Sequence, residues 1–307
     1  MTTATAPATP VQRLRTWASF VRFEHTLFTL PLILAGIFGV PGPAMSAGRW
    51  LLVAVAAVGA RTSAMSLNRL IDRRLDALNP RTRARELPSG RMKLAEAWGL
   101  LLGAMAAYLA ACWALDPLTF LYVKLAPIPL VVFALYPYTK RFTPFCHFGV
   151  GSGMCLAPLA GYAAAHPDLA HPWPSVWLAA FTLFWGSGFD IIYSTLDEES
   201  DRANGVHSMV VWLGRKRALR VSAWLHGAAA VALALLLSSL GSVVARGPLH
   251  FAWTAASGIL CGVAIGLLYF EQRLAEDVNL AFFKINVWVS AVVLAMVLLR
   301  RAVSGGF

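Results

Sequence analysis

Nine stretches of the chain are apolar for close to twenty residues at a time, with short polar segments between them. They cover about residues 20–40, 48–69, 94–114, 117–138, 144–165, 174–195, 218–240, 249–270 and 280–300. A helix needs about 20 mostly apolar residues to cross the hydrocarbon of a bilayer. Every backbone polar group there must be bonded within the protein, so runs this long are helices; strands of a membrane barrel are about half the length. The pattern therefore predicts an all-α polytopic membrane protein with nine transmembrane helices. The opening MTTATAPATPVQRLRTW has no apolar run behind a basic start, so it does not resemble a cleaved leader. Residues 1–12 are expected to form a disordered tail, and 13–307 a single transmembrane domain.

Composition agrees with this pattern. Of the 307 residues 58% are hydrophobic and only 13% charged, with a mean hydropathy of +0.63. A soluble domain of this size would be about a quarter charged. The net charge of +11 raises the possibility of nucleic acid, but the charges sit in short loops between apolar runs, which argues against it. Placed with the N-terminus in the cytoplasm, twenty Lys and Arg fall in cytoplasmic segments and four (Arg49, Arg246, Arg300, Arg301) on the other side. That bias predicts a multi-pass protein of the inner (plasma) membrane, with a cytoplasmic N-terminus and the C-terminus opposite. Cys112, Cys146, Cys155 and Cys261 show no paired spacing and lie in or beside apolar runs, so they are expected to pack rather than bind metal.

Two acidic motifs end two of the spans. NRLIDRRLD carries Asn68, Asp72 and Asp76, spaced by four and so on one helical face. DIIYSTLDEESD carries Asp190, Tyr193, Asp197 and Asp201, whose spacings again make one helical face. Asn68–Asp76 precedes Tyr193–Asp201 by a constant 125 positions, four spans apart. This suggests an internal four-helix repeat that sets the two following loops, about 70–93 and 196–217, across a shared cavity. Two facing carboxylate pairs can share magnesium with the oxygens of a diphosphate, because this hard cation favours a few carboxylates plus phosphate oxygens. Without a cation four such acids would repel one another. The plain alternative, a solvated polar helix end, suits Asp72 or Asp197 taken singly better than two matched pairs. Glu198 and Glu199 fall off the shared face and are expected to be solvated.

Basic residues complement the acids. Arg81, Arg83, Arg85, Arg91 and Lys93 follow the first motif, and Lys140 and Arg141 end the fourth span. Most of the loop arginines are expected to be topology-setting charges without a ligand; Arg22 and Lys140, beside bulky apolar neighbours, are the better phosphate ligands. Arg61 lies inside the second span, seven residues before Asn68. A charge at that depth faces a cavity or a partner. It can hold the carboxylate of an acceptor substrate or pair with Asp190, which lies seven residues before Asp197. His25, His147 and His207 are expected to be packed or hydrogen-bonded, and the GSG at 151–153 to be a close helix contact.

At these motifs the sequence resembles the UbiA superfamily of intramembrane prenyltransferases. NRLIDRRLD is similar to the family's NxxxDxxxD, and YSTLDEESD to its tyrosine-preceded DxxxD. RTRARELPSG, YPYTKRFTPFCHFGVG and FVRFEHTLFTLPL resemble three further family segments in the same order. The resemblance implies nine helices around a central cavity, capped by cytoplasmic loops. It implies that Asn68, Asp72, Asp197 and Asp201 bind a magnesium diphosphate, with Asp76 completing the metal motif. Arg22, Lys140 and Arg141 would contact the diphosphate, and Arg61, Asp190 and Tyr193 would lie at the aromatic acceptor. His147 stands where many members have glutamine, which leaves the acceptor pocket open.

The implied reaction is magnesium-dependent transfer of a polyprenyl group from a polyprenyl diphosphate, drawn from the lipid bilayer, to an aromatic acid. Asp190 or Tyr193 would take the ring proton. The FEHT opening and NRLIDRRLDALNPRT resemble 4-hydroxybenzoate polyprenyltransferases and the similar enzymes of the futalosine menaquinone route. A hydroxybenzoate-like acceptor in quinone biosynthesis is the reading, and a naphthoate-type menaquinone precursor the alternative. A transporter is the competing class, but its site would lie in broken helices near the bilayer midplane, whereas these acids sit at span ends.

Overall fold

The computed structural model describes residues 9–22, 26–240, 248–275 and 284–303. Among them there is no strand. The thirteen helices, numbered in chain order, are α1 (Pro10–Phe20), α2 (Thr26–Phe38), α3 (Ala47–Leu78), α4 (Leu94–Leu115), α5 (Leu121–Leu125), α6 (Pro127–Thr139), α7 (Cys146–Ala165), α8 (Trp173–Ser194), α9 (Glu198–Ala203), α10 (Met209–Leu213), α11 (Arg215–Ser239), α12 (Pro248–Arg273) and α13 (Asn286–Val303). Seven are long and apolar enough to cross a membrane: α3, α4, α5 and α6 taken together, α7, α8, α11, and α12 from Phe251. The apolar stretch Thr29–Phe38 in α2 is shorter. The protein is thus an integral membrane protein made of helices.

Three differences from the sequence pattern have local causes. A separate helix, α1, ends where the first apolar run opens and begins at Pro10, inside the stretch expected to be a disordered tail, while the helix of the run itself, α2, begins at Thr26. Thr9 caps α1 through a capping box with Gln12, and proline at the first position suits a helix start. The buried Phe20 then fixes α1 against Leu70, Met92, Ala97 and Leu101. The fourth run breaks into α5 and α6 at Ala126, because Pro127 brings no N–H to the ladder. The second run extends well past its apolar part. Its 32 residues make a rod of about 48 Å against a hydrocarbon core of about 30 Å, so the end bearing Asn68, Asp72 and Asp76 projects beyond the apolar zone.

The halves repeat one pairing pattern. Helix α3 packs on α4 as α8 packs on α11, and α6 packs on α7 as α12 packs on α13. The α7–α8 contact joins the halves, and α2 lies against α7 and α13. Close approach depends on glycine. A methyl group built on Gly36 or Gly161 would run into the backbone of Pro158 or Ile33 across the α2–α7 crossing, and one on Gly151 into Leu183 and Ser187 of α8. Small residues that let backbones meet are the usual means of holding helices together where lipid removes the hydrophobic drive. The GSG contact is made by Gly151 at this crossing, while Gly153 has ordinary clearance from Phe133.

Candidate active site

Helix α3 holds Asn68, Asp72 and Asp76 along one face, as their spacing requires. Asp72 and Asp76 are buried, and Asn68 Nδ2 donates to Asp72 Oδ2 at 3.2 Å. Lys140, at the end of α6, places Nζ 2.5 Å from the same oxygen. The next segment folds straight back: Thr82 donates to the Asp76 carbonyl, and Arg85 Nη1 lies 2.7 Å from Asp76 Oδ1. Loop 79–93 is tied to α1 by Ser19, whose hydroxyl donates to the buried Glu86 at 2.6 Å.

The second motif does not form one continuous helix. Asp190 and Tyr193 lie on α8, which ends at Ser194; Asp197 precedes α9, and Asp201 lies within it. The side chains of Ser194 and Thr195 donate back to the carbonyls of Ile191 and Ile192. Such short polar side chains compete with the helical ladder as the apolar run ends. The break turns Asp197 and Asp201 toward α3. There Arg81, from the loop that follows the first motif, grips the second. Its Nε and Nη2 hold Asp197 at 2.8 and 2.5 Å, and Nη1 donates to the Tyr193 hydroxyl at 2.6 Å. Asn79 adds a 2.6 Å bond to Asp197 Oδ1.

Together these residues line a cavity of about 200 Å³, whose walls include Asn68, Asp72, Asp76, Lys140, Asp190, Tyr193, Asp197 and Asp201. Arg22, Arg61 and Arg141 are not in its lining. Arg61 Nη2 lies 3.4 Å from the carbonyl of Arg22, a residue with left-handed backbone (φ 50°). Arg141 donates to the Ile71 carbonyl and stands 3.9 Å from Asp72 Oδ1. Asp190 Oδ2 lies 2.7 Å from His147 Nδ1. His25 lies outside the described residues. Glu198 pairs with Arg202, and Glu199 is exposed.

Charge explains the arrangement. Burial pushes the Asp201 carboxyl up to about 7, helped by the Asp197 charge, against the pull of Lys140, His147 and Arg81. Burial lowers the Arg81 pKa, but its hydrogen bonds to Asp197 and the charges of Tyr193 and Asp197 outweigh this and raise it. Asp72 Oδ1 and Asp76 Oδ2 are buried and accept no hydrogen bond. A buried carboxylate oxygen without a donor is costly, so these two suit a cation. Among the described residues no three His, Cys, Asp or Glu side chains converge closely enough to cage an ion alone. Magnesium takes one or two carboxylates per ion and completes its shell with water and substrate oxygens.

Residues 29–299 match the UbiA prenyltransferase family. The chain belongs to that family. It is therefore a UbiA-type prenyltransferase, and its relatives carry aromatic prenyltransferase names. It is 27% identical over 304 residues to the 4-hydroxybenzoate octaprenyltransferase of Nitrosospira multiformis, covering 95% of this chain and 97% of that one. The enzyme of the same name from Aromatoleum aromaticum is 28% identical over 297 residues, covering 94% of each. Among solved structures, an apo UbiA homolog from Aeropyrum pernix K1 is 28% identical with a TM-score of 0.73, over 90% of this chain and 97% of that one. A UbiA homolog from Archaeoglobus fulgidus bound to GPP and Mg2+ shares the fold at a TM-score of 0.70 and 17% identity, covering 94% of this chain and 99% of that one.

Arg81 was missed in the sequence, where it is one arginine among several in a basic loop. Nothing in RTRARELPSG separates it from Arg83; only the fold-back of the loop does. Tyr136 and Asn79, which also line the cavity, have no charge to mark them.

Proposed function

We propose that the protein transfers a polyprenyl group from a polyprenyl diphosphate to a 4-hydroxybenzoate-like aromatic acid in quinone biosynthesis, with magnesium as cofactor. The observation that carries the proposal is that each acidic motif is held by a cationic side chain around one cavity: Lys140 on Asp72 and Arg81 on Asp197. Asp72 and Asp76 on one side and Asp197 and Asp201 on the other would hold magnesium ions, which when bound would supply positive charge against the leaving diphosphate. Asn68, Lys140 and Arg81 bind the phosphate oxygens, with Arg22 and Arg141 approaching from beside the cavity. These fixed charges stabilise the negative charge that grows on the diphosphate as its bond to the allylic carbon breaks. The electron-rich carbon of the acceptor ring attacks that allylic carbon, and the ring carbon then loses its proton. Asp190 is the better base. Its Oδ2 is held by His147, whereas the Tyr193 hydroxyl already accepts a bond from Arg81. Arg61 holds the acceptor carboxylate.

The full arrangement proposed is nine transmembrane helices around a central cavity, residues 13–307 forming the one domain. The two motif loops cap the cavity on the cytoplasmic side, and the C-terminus lies opposite. The names of the relatives support 4-hydroxybenzoate as acceptor. A panel of labelled aromatic acids, hydroxybenzoates and naphthoates included, incubated with the purified protein, magnesium and a prenyl diphosphate tests this. Product from 4-hydroxybenzoate supports the reading; product from a naphthoate alone moves the protein to a menaquinone route.

A further inference from the structure

His147 is 2% exposed and makes two side-chain bonds that constrain each other. Its Nδ1 lies 2.7 Å from Asp190 Oδ2, and its Nε2 lies 3.2 Å from the backbone nitrogen of Met209. A backbone N–H can only donate, so Nε2 must offer a lone pair, and the ring's single proton is then on Nδ1. Met209 opens α10 behind Ser208, so its N–H is one of the donors a helix start leaves without an intrahelical partner. Met209 and Val210 are buried in one cluster with Ile191 and Ala218, so water does not serve that donor. The approach is held from both sides: His207 N–H donates to the Lys140 carbonyl at 2.7 Å, and Cys146 Sγ to the His207 carbonyl at 3.4 Å.

We propose that His147 is a positioning residue for Asp190: a neutral imidazole that donates from Nδ1 to the carboxylate because the end of the second motif loop occupies Nε2. This rests on the reading of Asp190 as the carboxylate that meets the acceptor. The ring fixes the rotation of the Asp190 carboxylate and leaves Oδ1 for the acceptor side. It also ties that orientation to the loop carrying Asp197 and Asp201, so the diphosphate end and the acceptor end of the cavity share one side chain.

Glutamine reproduces the donor and acceptor of this neutral ring without its titration; leucine supplies neither. His147→Leu should lower kcat about 10- to 100-fold, as loss of a hydrogen bond to a charged group does, with KM for the prenyl diphosphate unchanged. His147→Gln should recover most of that loss. Nitrogen-15 NMR of the histidine-labelled full chain in detergent, with the signal assigned by its loss in His147→Gln, should show Nδ1 protonated and Nε2 bare. An imidazolium or an Nε2–H tautomer overturns the proposal, and this readout does not depend on how the leucine variant folds. So does a glutamine variant no better than leucine, or wild-type turnover in His147→Leu while Asp190→Asn is impaired. Wild-type turnover in Asp190→Asn instead removes the role given to Asp190, and the tautomer measurement then still judges His147.

Discussion

Replacing Arg81 by alanine should cripple turnover even though the residue lies in a loop. The side chain makes three charge-assisted bonds, two to Asp197 and one to Tyr193. The Arg81 side chain is 28% and the Asp197 side chain 14% exposed, so solvent screens the pair in part. A hydrogen bond to a charged group contributes about 1.5–3 kcal/mol. The two bonds to Asp197 act as one bidentate unit, so the loss is about 2–3 kcal/mol, or about 30- to 150-fold in kcat/KM for the prenyl diphosphate. Lysine keeps the charge but not the fork and should recover only part of it. Initial rates of prenyl transfer, read with a labelled diphosphate at saturating magnesium, give the comparison. An alanine variant within threefold of wild type would refute the role given to Arg81, as would a lysine variant indistinguishable from arginine.

Asp201 predicts a pH dependence. With its carboxyl at about 7, half the metal-free protein carries a proton there at neutrality, and magnesium must displace it. Apparent magnesium affinity should therefore weaken as pH falls from 8 to 6, by about tenfold per unit below 7 if this one proton governs. Titrations of activity at several pH values should show the slope, and Asp201→Asn should flatten it. The same shift has an opposite consequence for the metal-free fold. A carboxyl raised in the folded state favours folding at low pH, and that contribution is lost as pH rises through about 7, so Asp201→Asn should narrow the difference in thermal stability between pH 5 and pH 8. At the α7–α8 crossing, Gly151→Val should destabilise the bundle by about 1–3 kcal/mol, as overpacking does, lowering the midpoint of thermal unfolding in detergent. An unchanged midpoint would mean that the helices can separate there at no cost.

Much of this molecule was legible in the hydrophobic pattern because a bilayer imposes one simple length rule. The spans about α4, α7 and α8 agree with their apolar runs to within about two residues, a normal uncertainty for helix ends. The pattern fails where apolarity and helicity part company. Helix α3 continues through NRLIDRRLDAL to Leu78, and the first run opens between α1 and α2, where Arg22 adopts a left-handed backbone. In the site, spacing by four placed Asn68, Asp72 and Asp76 correctly because α3 is continuous there. The same logic misjudged the second motif, since Ser194 and Thr195 let the chain leave the helix before Asp197. The grip of Arg81 on Asp197 and that of the Met209 N–H on His147 were not legible, because each depends on a loop folding back across more than sixty positions of sequence.

The direct test is prenyl transfer with and without magnesium by the wild type, Asp72→Asn and Asp197→Asn, alongside binding of the prenyl diphosphate itself. Both acids sit under a cation in the structure, Lys140 and Arg81 respectively. Magnesium-dependent product in the wild type, lost in both variants along with magnesium-dependent diphosphate binding, is the expected result. Transfer or diphosphate binding that survives in either variant, or that is indifferent to magnesium, would contradict the claim that the paired aspartates hold the metal diphosphate.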